Sequence, residues 1–182
     1  MMDMFIAKYH LHPIIDHFTI ALCSAGVLVD ILGYFVGATI ARRSARAWEL
    51  GERLSRAALV LLIPGAISAV LSRLTGEREA ERVWDSISAA AQQILLSDAG
   101  RGWFLSHAVL GTYLMYALLA LAIWRMLLEA SATIARTRSG YALTAVLVLC
   151  ALLYQGRTGG ELVYDHGVGT NTTTLAPTSS LH

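Results

Sequence analysis

Four histidines, His12, His17, His107 and His166, stand beside groups that suit metal or haem ligation. Asp16 immediately precedes His17, and Glu161 and Asp165 lie just before His166. An imidazole offers one ring nitrogen to a metal, and a carboxylate accepting from its other N–H fixes the tautomer. Arg101, Arg157 and Tyr164 are placed to meet anionic groups such as propionates at the same surface. His10 and His182 are given no role. The two cysteines, Cys23 and Cys150, form no CxxC, CxxCH or zinc-type pair, so covalent haem attachment and a structural zinc site both lack their ligands. They read as small buried hydrophobes.

The elements that must position these residues follow from composition. Apolar residues make up 55% of the 182 and the mean hydropathy is +0.55, more than a soluble core of this size needs. The excess therefore faces lipid. A net charge of +1 gives no electrostatic argument for a nucleic-acid partner. Four stretches approach the ~20 apolar residues that cross a bilayer: residues 14–41, 57–74, 103–128 and 141–155. The expected fold is all-α, a transmembrane four-helix bundle over residues 1–169 followed by a polar, threonine-rich and mobile tail over residues 170–182. Between the second and third spans, VWDSISAAAQQIL repeats Val83, Ile87, Ala91 and Ile94 near helical spacing, which predicts an amphipathic surface helix. On the first span, Gly26, Asp30, Gly33 and Gly37 form a face of small residues that another helix can approach closely.

Arginine placement orients the bundle. Arg42, Arg43, Arg46, Arg53 and Arg56 fall between spans one and two, and Arg125, Arg136 and Arg138 between spans three and four. By the positive-inside rule both links are cytoplasmic, which makes the chain a multi-pass inner-membrane protein with both termini periplasmic. Pro13 suits the first turn of span one, placing His12 at its cap and His17 one turn inside. His107 opens span three and His166 follows span four, so all four histidines land in one outer layer.

Imidazoles at one level of a four-helix bundle are the natural means of holding a metal or a haem iron between facing helices. His17 with His107 is the expected ligand pair; His12 and His166 form a second pair or bind propionates. Histidines capping helix ends at a wet interface need no metal, and that reading stands beside the first. Asp30 lies about 20 Å along the helix from His17. It is either a proton-relay or substrate contact or the partner of an arginine such as Arg136 or Arg138. Gly159 and Gly160 predict a chain reversal at the end of span four, with a second at Gly167 and Gly169 folding His166 over the outer layer.

HPIIDHF at residues 12–18 and TGGELVYDHGVG at residues 158–169 resemble the two signature ends of a bacterial family of four-helix membrane proteins of unknown function. The resemblance covers residues 11–169, and His107 fits the position of that family's mid-chain histidine. Thr19 departs from a proline that the family often shows, and the connection between spans two and three is unusually long. The family is similar in architecture to b-type membrane cytochromes. That similarity implies electron transfer, one or two b haems, and His12, His17, His107 and His166 as candidate ligands.

The leading expectation is a haem b-binding electron-transfer subunit in the lipid bilayer, linking a quinone pool to a periplasmic redox protein or a larger membrane complex. Two alternatives accompany it: a membrane protein binding or transporting a non-haem transition metal through the same histidines, and a structural anchor assembling a complex through its glycine face and surface helix. No nucleophile–base pair or Gly-rich phosphate loop is apparent, so an electron-transfer subunit is expected over an autonomous enzyme.

Overall fold

The structure, a computed structural model, describes residues 11–37, 44–96 and 106–169. Arg101, Arg42, Arg43, His10, His182 and the tail over residues 170–182 lie outside the described residues. Helix α1 runs Leu11–Phe35 and α2 Ala45–Val83; a 3-10 turn, Trp84–Ser86, leads into α3, Ala89–Leu96. Helix α4 runs His107–Ala130, the single turn α5 Ala132–Ala135, and α6 Arg138–Tyr164. No strand occurs among the described residues.

Four of these helices, α1, α2, α4 and α6, are long and apolar enough to cross a membrane. Only 22–33% of each apolar window is buried, so most of the apolar surface packs against nothing among the described residues. Ile14, Phe18, Val60 and Leu147 are all more than half exposed. In water such a surface would be prohibitive; in hydrocarbon it is the solvent-matched face. The chain is therefore a multi-pass membrane protein built as an all-α bundle.

The helices form a ring in which α1 packs on α2, α2 on α4, α4 on α6 and α6 back on α1. Helices α1 and α4 thus stand diagonally opposed. The α1–α2 interface is the most extensive, and small residues make it possible. A Cβ on Gly26 would meet Leu62 at 2.8 Å, and one on Gly65 would meet Cys23 Sγ at 2.6 Å. Gly33 faces Leu54, Gly51 and Ser55. Gly26 and Gly33 of the glycine face are thus consumed inside the bundle. Around it Val27, Leu118, Leu121, Ala145 and Leu152 complete the core.

Three elements differ from the sequence expectation. Helix α2 is longer, taking in the charged stretch of Arg46, Glu49, Glu52, Arg53 and Arg56 at one end and residues 75–83 at the other. Its exposed ends carry i,i+4 pairs, Arg56 to Glu52 and Arg73 to Glu77 each at 3.1 Å, which support helix where water replaces lipid. The surface helix is shorter. Val83 ends α2 and Ile87 sits in the connector, while Ala91, Ile94 and Leu95 of α3 bury against Leu162, Trp84 and Val168. Helix α6 runs straight through Gly156, Gly159 and Gly160 to Tyr164, so the reversal expected at Gly159–Gly160 does not occur. Burial of Thr158 and Leu162 on the neighbouring turns overrides the low helix propensity of glycine. The chain turns only at Gly167, whose φ of 66° lets Val168 N–H return to the Leu162 carbonyl at 2.9 Å.

Candidate functional site

The polar side chains gather at two ends of the bundle, about 27 Å apart along α1 from His12 to Asp30 at 1.5 Å per residue. At the terminal end, where α1 begins and α6 finishes, His12 and His107 sit half-buried on opposed helices. His12 is half-buried, and its Nδ1 lies 3.0 Å from the Ser72 carbonyl of α2. A carbonyl only accepts, so Nδ1 carries the hydrogen and Nε2 keeps its lone pair. Gly76, one turn on from Ser72, leaves room for the ring, since a Cβ there would meet His12 Cε1 at 2.8 Å.

His107 repeats the arrangement on the facing helix. Its Nδ1 lies 3.0 Å from Thr158 Oγ1 of α6, and Thr158 already donates its hydroxyl hydrogen to the Gln155 carbonyl at 2.9 Å. Thr158 must therefore accept, and His107 Nδ1 donates. Its Nε2 meets only the long 3.4 Å approach of the Gln155 amide nitrogen, which also donates to the His107 carbonyl at 2.8 Å. Gln155 Oε1 is buried beside it with no hydrogen-bond partner among the described residues. Gly159 gives clearance, because a Cβ there would meet His107 Cε1 at 3.1 Å. Both Asp16 and His12 lie within electrostatic range of His107.

The acceptors that fix these rings are Ser72 and Thr158, from the helices between, where the sequence had pointed to carboxylates. Asp16 acts one step removed, accepting from Ser72 Oγ at 2.9 Å while the Ser72 carbonyl holds His12. His17 is exposed on the outer face of α1, its Nδ1 turned back to the Pro13 carbonyl of its own helix. His166 is half-buried in the turn after α6. Tyr164, Arg157 and Asp165 are exposed, and with Glu161 they line a cavity of about 520 Å³ on the flank of α6 behind Thr158.

The donor set fits a haem iron in one respect that geometry can test. Two imidazoles stand on opposed helices, each with Nδ1 tied to a neighbouring helix and so with Nε2 as the nitrogen left to ligate. A non-haem metal needs three or four protein donors. No group of three or more His, Cys, Asp or Glu side chains gathers among the described residues.

At the opposite end, the sequence reading missed the central residue. Arg125 is not in the link between the third and fourth spans; it lies inside α4 and has no exposed surface. Its Nε meets Asp30 at 3.0 Å, and Nη2 meets the Ser55 carbonyl at 3.0 Å, the Ser55 hydroxyl, and Glu129 at 2.8 Å. Asp30 is ion-paired with Arg125, a partner other than the Arg136 or Arg138 expected from sequence. Arg138 stands 3.5 Å from Asp30 and donates to Ser55 Oγ at 2.9 Å, while Arg136 is exposed in the link. The legible signal for Arg125 was its register: Leu114, Leu118, Leu121 and Ala122, at three- and four-residue steps before it, are all buried.

Against known proteins, neither the curated proteins nor the solved structures hold a match to this chain. A family model does match, over residues 8–172, which includes both histidine-bearing ends and all four spans. The chain belongs to the family described as predicted membrane protein (DUF2231).

Proposed function

We propose that the chain is a haem b-binding electron-transfer subunit of a bacterial cytoplasmic membrane, passing electrons between the quinone pool and a periplasmic redox partner. The observation that carries this reading is the pair of opposed imidazoles, His12 and His107, each with Nδ1 committed to a neighbouring helix. A porphyrin contributes four donors to its iron and asks only two of the protein, which His12 and His107 would supply. His12 takes the place of His17 in the pair expected from sequence, since His17 is turned to the outer face. Haem supplies one-electron chemistry when bound. The chain's own residues orient the ligands through Ser72 and Thr158 and exclude water with the surrounding apolar helices. The arginines Arg46, Arg53, Arg56, Arg136 and Arg138 at the far end support, by the positive-inside rule, a periplasmic side for the histidine pair.

The test is an optical spectrum of protein purified from cells supplied with haem. Soret and alpha bands are expected in the wild type and in His17→Ala, and their loss in His12→Ala and His107→Ala. A featureless wild-type spectrum overturns the proposal, and bound metal without porphyrin in elemental analysis moves it to non-haem metal binding.

A further inference from the structure

The second end of the bundle holds a cavity that the histidine pair does not use. It measures about 270 Å³ and is built by all four spanning helices: Gly33 and Tyr34 from α1 with Gly37 just beyond it, Trp48, Ser55 and Arg56 among others from α2, Glu129 from α4 and Arg138 from α6. Its floor is the buried ion network. Ser55 Oγ accepts from both Arg125 and Arg138, and because arginine only donates, the serine's own hydrogen remains to point elsewhere. Its walls include the rings of Tyr34 and Trp48, and Trp48 is 59% exposed at the flank. Leu32, Leu50 and Phe35 nearby are each at least half exposed, an apolar approach from the side of the bundle.

The charge on the lining selects the ligand. Arg56 pairs with Glu52, Glu129 with Arg125 and Arg138 with Asp30, so the lining and its floor are electroneutral but carry both signs at separate positions. A purely anionic group would meet two carboxylates, and a purely cationic one two guanidiniums. The level along the helices is that of the lipid head groups: the charged turns of α2 begin at Arg56, where its apolar stretch stops. Tyr and Trp at this level are the usual interfacial residues, and arginines between spanning helices are known to contact lipid phosphates.

We infer that this cavity binds the head group of a zwitterionic phospholipid with a primary ammonium, a phosphatidylethanolamine. The phosphate lies against Arg138 and the Ser55 hydroxyl, and the ammonium against Glu129, which is 45% exposed. The acyl chains run out past Trp48 along the apolar flank. A quaternary ammonium fills the same charge but donates no hydrogen bond to the carboxylate. The site is independent of the redox reading, being about 27 Å from the histidine end.

Native mass spectrometry of the full chain, titrated with phosphatidylethanolamine, phosphatidylglycerol and phosphatidylcholine, tests it. Phosphatidylethanolamine is expected to be retained on the order of tenfold better than the other two, the worth of one charge-assisted hydrogen bond. Gly37→Leu fills the cavity at a position where a Cβ has nothing within 4 Å and the backbone is not left-handed, so the bundle should persist while binding is lost. Glu129→Gln should remove the advantage over phosphatidylcholine and raise retention of phosphatidylglycerol. Equal retention of all three lipids by the wild type, or undiminished binding by a folded Gly37→Leu, overturns the inference. So does displacement of the lipid by soluble phosphoethanolamine at equal concentration, which would make the ligand a free solute.

Discussion

Arg125 has no exposed surface, and its removal would leave Asp30 as a buried carboxylate whose remaining cation is Arg138 at 3.5 Å. Breaking a buried pair from one side is costly, because the remaining charge stays out of water. Arg125→Ala and Asp30→Ala should each destabilise the folded chain by about 3–5 kcal/mol, read from unfolding in mixed micelles. Arg125→Met combined with Asp30→Asn should recover much of that loss, and a double-mutant cycle showing strict additivity would contradict the pairing. At the other end the decisive detail is which atoms hold the rings. Thr158→Val removes the acceptor of the His107 Nδ1–H while keeping the side-chain volume, so it should weaken any iron ligation through His107 without unfolding the bundle. Thr158→Ser should restore it. The histidines themselves were legible as chemistry-bearing residues, but their partners were not: Ser72 and Thr158 are common residue types whose significance exists only once α2 and α6 stand between α1 and α4.

Among the elements, the α1–α2 pair depends on glycines that admit no methyl group. Gly65→Ala would press a Cβ to within 2.6 Å of Cys23 Sγ, and overpacking of this kind costs about 1–3 kcal/mol. Gly140→Ala, whose nearest neighbour is Trp124 at 3.9 Å, should be neutral or slightly stabilising through helix propensity. Thermal unfolding of the two variants side by side separates close approach from glycine's general cost. The four spans were legible because apolar length alone decides them. Their ends were not, since the charged turns of α2 and the glycines of α6 carry local preferences that packing and exposed ion pairs overrule. The amphipathic segment after α2 was legible as a helix, but its repeat was divided between two helices and a connector, leaving only Ala91, Ile94 and Leu95 to dock.

For the whole molecule, four crossings require that α3 and α5 lie in opposite compartments. A cysteine at Ala90, in exposed α3, should react with an impermeant thiol reagent from one side only, and a cysteine at Ala132, in exposed α5, from the other. Cys150 is exposed to the lipid side and is replaced first; Cys23 is buried. Reaction of both sites from the same compartment would dissolve the ring of helices and the opposed histidines with it. Cohesion is also uneven across this architecture. The last third of α6 contains Gly156, Gly159 and Gly160, so its helical form rests on neighbours instead of on its own residues: the imidazole of His107 above Gly159, the side chain of Ile20 against Gly156, and α3 against Leu162. Such a segment acts as a built-in reporter. Its backbone amides should exchange with deuterium sooner than those of the preceding turns, and more slowly whenever His107 is locked by a bound group.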